Sequence, residues 1–118
     1  MAFADNKPRV VEWATTPIRV TLGETVYTGD LIGFDGTDWM QAEASATAPI
    51  SARLVALEDG VDGDSIQASP LAVVSSYTGG TAGSQLFLSD TAGCVEEAVT
   101  GSLYQKVGMM VSATVAYL

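Results

Sequence analysis

At 118 residues, with 47% apolar and 16% charged side chains, the chain has the length of one domain and too much hydrophobic content for a disordered segment. Fourteen acids against five bases give a net charge of −9, which repels phosphate and argues against nucleic acid as a partner. A lone cysteine, Cys94, excludes an internal disulfide, fits a reducing cytosol and reads as a small core hydrophobe. The mean hydropathy of +0.27 is high for so acidic a chain, and an oligomer that covers part of the apolar surplus accounts for it. No apolar run approaches the roughly 20 residues that span a bilayer, and no apolar signal-like region follows Met1. The expectation is a protein made in the cytoplasm, with no membrane partner.

The first 18 residues differ from the rest. Residues 1–20 hold Lys7, Arg9 and Arg19 against Asp5 and Glu12, a local net of +1, whereas the remaining 98 hold Arg53 and Lys106 against 12 acids, a net of −10. Pro8 and Pro17 bracket Arg9-Val10-Val11-Glu12-Trp13-Ala14, and each proline removes a donor and biases its predecessor toward extended geometry. Residues 1–18 therefore read as an extended arm or edge strand, or else as an ordinary first strand, ahead of one β domain over 19–118.

From Ile18 the pattern is of short strands punctuated by glycine and aspartate. Ile18–Leu22 alternates apolar and polar residues, and Leu31–Phe34 follows the Thr28-Gly29-Asp30 turn. Asp35-Gly36 signals a two-residue hairpin flanked by Phe34 and Thr37, with a return strand over 38–42. A small-residue loop runs over 43–49. Ile50–Leu57 reads as a strand or a helical turn, and 58–64 as an acidic turn. Strands are expected at 65–68, 71–77, 85–88, 94–95 and 103–111, with Pro70 at a bulge or edge and Gly108 at a bulge. In 112–118, Ala113, Val115 and Tyr117 share one face. Eight to ten such strands without a long amphipathic helix predict an antiparallel β-barrel or β-sandwich.

The absence of histidine removes the commonest general base and the triads built on it, so an enzyme is not expected. No catalytic or cofactor-binding residue is assigned. Glu58, Asp59, Asp62 and Asp64 offer closely spaced oxygens to a hard cation, but their spacing matches no EF-hand loop and an acidic turn explains them as well. The Thr78–Gly83 loop lacks the lysine of a phosphate-binding loop. Trp39 is expected in the core and Trp13 at an interface.

Gly83-Ser-Gln-Leu-Phe-Leu-Ser-Asp-Thr-Ala-Gly93 and then Tyr104-Gln-Lys-Val-Gly-Met-Met-Val-Ser-Ala-Thr114, behind Gly29-Asp30-Leu31-Ile32-Gly33, resemble small capsid decoration (cement) proteins of tailed bacteriophages. The head-decoration family that includes lambda's trimeric protein is a further comparison. The resemblance implies a structural virion protein, made in the host cytoplasm. It would sit on the outer capsid surface, often as a trimer, and clamp neighbouring major capsid subunits. On that view Phe3, Lys7, Pro8, Arg9, Val10, Val11, Trp13 and Pro17 of the arm bind the capsid or a neighbouring subunit, by strand addition and with avidity. Removing residues 1–17 would then leave the fold intact. A tail- or fibre-type β module that recognises carbohydrate, with Trp39, Tyr27 and Tyr77 as sugar platforms, or protein is the alternative.

Overall fold

Short apolar runs broken every few residues by glycine, aspartate and proline cannot sustain a helix. The computed structural model describes residues 3–5 and 7–118, and among them it contains eleven strands and no helix. Met1, Ala2 and Asn6, which belong to the expected arm, lie outside the described residues. The strands are β1 (Val10–Ala14), β2 (Ile18–Thr21), β3 (Leu31–Phe34), β4 (Trp39–Gln41), β5 (Leu54–Ala56) and β6 (Ser65–Ser69). They continue as β7 (Ala72–Ser75), β8 (Gln85–Leu88), β9 (Val95–Glu96), β10 (Lys106–Met110) and β11 (Val115–Tyr117).

All pairings between strands are antiparallel and fall into two sheets, ordered β1-β7-β11-β10-β8-β9 and β2-β6-β5-β3-β4. The architecture is a sandwich and not a closed barrel. The five-stranded sheet nevertheless curls until Leu22, just past β2, bridges Trp39 of β4 at its opposite edge, where the Gly23 amide donates to the Trp39 carbonyl at 3.0 Å. That curl explains why β3 and β5 are apolar at consecutive positions. Leu31 and Val55 face the core shared with the six-stranded sheet, while Ile32, Leu54 and Ala56 fill a second core with Leu22, Val26 and Ile66. A strand buried on both faces loses the polar alternation of a half-exposed one.

Pro17 and Pro70 mark a corner. β1 pairs with β7 and β2 with β6, so two adjacent chain segments pass together from one sheet to the other at residues 15–17 and 69–71. The buried Ser69 hydroxyl contacts the Thr15 and Leu71 carbonyls at 2.5 and 2.8 Å and the Leu71 amide at 3.2 Å, which satisfies backbone groups that the bend takes out of the ladder. Prolines suit this place because neither sheet needs their missing N–H.

Among the described residues of 1–18 no free arm is found. Val10–Ala14 is the edge strand of the six-stranded sheet, which is the alternative the extended geometry left open, and Ile18 begins β2. Deleting residues 1–17 would strip this strand from β7 and remove Arg9 from its buried carboxylates, so the fold is not expected to survive the deletion intact.

The hairpin at Asp35-Gly36 exists, but its loop is four residues long. Phe34 pairs with Trp39 and not Thr37, because Asp35 Oδ1 accepts from the amides of both Thr37 and Asp38 at 2.8 Å. An aspartate that hydrogen-bonds the backbone two and three residues on builds a wider turn than the pair alone predicts. These two amides hold the Asp35 carboxyl below the usual carboxylate range. The strand expected over 50–57 is confined to 54–56. The register of β10 slips between Lys106 and Gly108, as the glycine suggested.

Candidate interaction surface

The N-terminal segment is locked over one end of the sandwich before β1 begins. Ala4 exchanges both backbone hydrogen bonds with Thr78, and the Phe3 ring stacks on Tyr77 at 5.9 Å between centroids. Arg9 then turns inward. Its Nε donates to Asp5 at 2.6 Å and its Nη1 to Asp30 at 2.7 Å and the Thr28 carbonyl at 3.2 Å. Its Nη2 reaches the Gly93 carbonyl and Cys94 Sγ, each at 3.5 Å.

The carboxylates are as thoroughly engaged. Asp30, fully buried, also accepts from the Tyr27 amide and from Gln41 Nε2, and Lys7 lies 3.4 Å away. Asp5 accepts from the Val95 amide at 2.9 Å. Burial alone disfavours a charged guanidinium, but Asp5 and Asp30 outweigh it and raise the Arg9 pKa above its ordinary value. A planar fork with five donors fits this double-carboxylate pocket, where the single ammonium of lysine does not.

Beside this network the Cys94 thiol is pushed from 9.0 up to about 11, by burial first and by Asp5 second, with Arg9 and Lys7 opposing. The fold therefore favours the neutral thiol, and stability from this group is lost as pH climbs from the ordinary value toward about 11. Cys94 is expected to resist a thiol reagent at neutral pH in the folded protein and to react fully in denaturant. Rapid labelling of the native chain would show that the segment over Cys94 opens. Burial likewise raises the Tyr77 hydroxyl far above its usual range.

The eight residues expected to bind a partner divide. Phe3, Arg9 and Val11 point into the protein, and Arg9 is only 4% exposed, so it is not available to another molecule. Lys7, Pro8, Val10, Trp13 and Pro17 are exposed, with Val10 and Trp13 each about half exposed. The Lys7 ammonium sits 4.6 Å from the Tyr27 ring centroid, a cation–π contact on the rim of the Arg9 pocket.

The acids of 58–64 are spent separately. Glu58 accepts from the Gln67 amide, Asp59 from Thr28 and Asp64 from the Val61 amide, and no cluster of metal-binding side chains exists among the described residues. Trp39 lies half-buried at the rim of the second core, against Phe34 at 5.6 Å. Tyr77 is 1% exposed, so the three rings proposed as sugar platforms do not share a surface.

The structure adds a face that the sequence did not assemble. On the outer side of the six-stranded sheet, Trp13 pairs with Val73, Val73 with Tyr117 and Tyr117 with Met109, one apolar row across four strands. Val10, Ser75 and Val115 form the next row. Trp13, Tyr117 and Met109 are all well exposed, whereas Val74, Ala116 and Met110 behind them are fully buried. The alternation of Ala113, Val115 and Tyr117 was the available signal, and their face turns out to be the outer one. Further along lie Phe87, which packs on exposed Tyr104 at 5.4 Å, and Lys106, which pairs with Phe87. At the other end the Glu12 carboxylate sits 3.4 Å from the Ser75 hydroxyl. Glu96 flanks Phe87 on β9, and burial, with Asp5, Asp90 and Glu97, raises its carboxyl pKa.

Comparison with known protein families, curated proteins and solved structures gives no match to the chain.

Proposed function

We propose that the protein is a structural virion component that binds the outer surface of a bacteriophage capsid and holds neighbouring major capsid subunits together. The observation that carries this reading is the open edge of β1. It lies in the first 20 residues, whose local net charge of +1 contrasts with −10 over the remaining 98, and its far side pairs with no strand among the described residues. An edge strand offers a row of backbone donors and acceptors to an extended segment of a partner. Lys7 and Pro17 lie exposed beyond the two ends of β1, so side-chain contacts accompany the backbone ones. The acidic loops elsewhere keep coated particles mutually repulsive. The resemblance in the C-terminal half points to the same class of protein. Strand addition is main-chain chemistry and needs none of the histidine-based machinery that this chain lacks.

The test is to mix the full-length protein with expanded and unexpanded capsid shells and image the particles. Density on expanded shells is the expected result. The Val10→Asp variant, changed at an exposed edge position, is expected to stay folded and lose at least tenfold in binding. Shells left bare by the wild type, or decorated equally by the variant, would overturn the reading.

A further inference from the structure

The outer face of the six-stranded sheet is too apolar and too continuous to be the water-facing side of a monomer. Its central row of Trp13, Val73, Tyr117 and Met109 crosses four adjacent strands in register. At about 4.8 Å per strand this row is roughly 14 Å long. Isolated exposed apolar residues are ordinary, but a contiguous set aligned across one sheet marks a surface that something covers.

Charge indicates what covers it. A body of net −9 repels its own copies from most directions, because its acids crowd the turns at 35–38, 58–64 and 90–97. The central row itself carries no charge. Glu12 stands near its β1 end, beside Ser75, and Lys106 near its β10 end, beside Phe87. Opposite charges near opposite ends of one apolar face are self-complementary. A two-fold rotation that sets Glu12 over Lys106 of a second copy also sets that copy's Glu12 over the first Lys106. Glu96 lies on β9, two strands beyond β10, and in this arrangement falls past the partner's edge at β1.

We infer that the face is covered by a second copy of this chain, in a two-fold dimer with Tyr117 near its centre and two Glu12–Lys106 pairs flanking it. This leaves the open edge of β1 pointing sideways, away from the dimer contact. The inference does not depend on the proposed capsid role, and its two-fold symmetry differs from the trimer that the resemblance implies.

Light scattering after size exclusion and sedimentation equilibrium on the full-length protein test the pair. The expected mass is twice 12.2 kDa. Glu12→Lys and Lys106→Glu, made singly, are each expected to weaken dimerisation at least tenfold. The double swap is expected to restore it, since it exchanges the charges and keeps their complementarity. Near-ultraviolet circular dichroism shows whether each variant is folded. Should a charge variant fail to fold, Tyr117→Lys on the exposed centre of the face serves in its place and must give a folded monomer. A wild-type monomer or trimer, a double swap no better than the singles, or a Tyr117→Lys variant that remains dimeric would each refute the inference. The capsid experiment reads shell binding by β1, and because Val10 borders this face, the mass of the Val10→Asp variant shows whether a loss of shell binding follows from a broken dimer.

Discussion

Arg9→Ala is expected to destabilise the protein by about 3–5 kcal/mol, the range for removing one partner of a buried ion pair. The loss exceeds that of a surface arginine because the substitution strands two buried carboxylates. Among the described residues, Asp5 is left with no cation and Asp30 keeps only the partly exposed Lys7. Arg9→Lys is expected to recover only part of the loss, since an ammonium cannot reach Asp5, Asp30 and the Gly93 carbonyl together. The control is Arg19→Ala, whose guanidinium makes one exposed bond to the Ser65 carbonyl and whose removal is expected to cost no more than about 0.5 kcal/mol. Thermal melts and urea titrations check this, with an expected fall in Tm on the order of 15 °C for Arg9→Ala. A loss below about 1 kcal/mol would mean that the clasp of residues 4–9 contributes little to the fold.

Gly108→Ala is the second large effect. A Cβ on Gly108 would lie 2.0 Å from the Tyr117 carbonyl oxygen and 3.0 Å from the Leu118 Cα. Both are backbone atoms of the neighbouring strand, so no side-chain rotation relieves the overlap and β10 must move away from β11. The expected cost is about 3 kcal/mol, the upper end of the range for forced overpacking. Gly63→Ala separates this clash from ordinary glycine strain. Gly63 has a φ of +89° and open space around its Cβ, so only the left-handed backbone penalty of about 1–2 kcal/mol applies. Equal losses at the two sites would show that β10 and β11 have room to spare. Because Met109 pairs with Tyr117 across this same contact, Gly108→Ala should also weaken self-association in the folded protein.

Much of the strand content was legible. Residues 18–21, 31–34, 65–69 and 85–88 carry the alternation or apolar run that marks a strand, and turn chemistry bounds them. Gly108 announced its bulge because a strand interior seldom tolerates glycine without one. Charge partition also singled out the first 20 residues correctly as different. Its explanation was misread: part of that positive charge, at Arg9, is buried against two acids, one of them 21 residues away. A basic residue between two prolines looks the same in a sequence whether it meets solvent or a carboxylate.

The candidate surface was legible only in pieces. Trp13 stood out as a bulky residue on a short polar-flanked strand, whereas Val73, Met109 and Lys106 carried no such signal. Their significance comes from register across segments that are distant in the chain, since β1, β7 and the β10–β11 hairpin are neighbours in the sheet but far apart in sequence.

The sequence by itself therefore determined the class of fold, the net acidity and the punctuation of the strands. Those properties are local or additive, and composition and period-2 alternation record them directly. Only the tertiary structure decided that residues 10–14 are an edge strand, that Arg9 is buried, and that Val115 and Tyr117 face outward. Each of these depends on which strand lies next to which, and pairing between distant segments is set by packing the whole core at once.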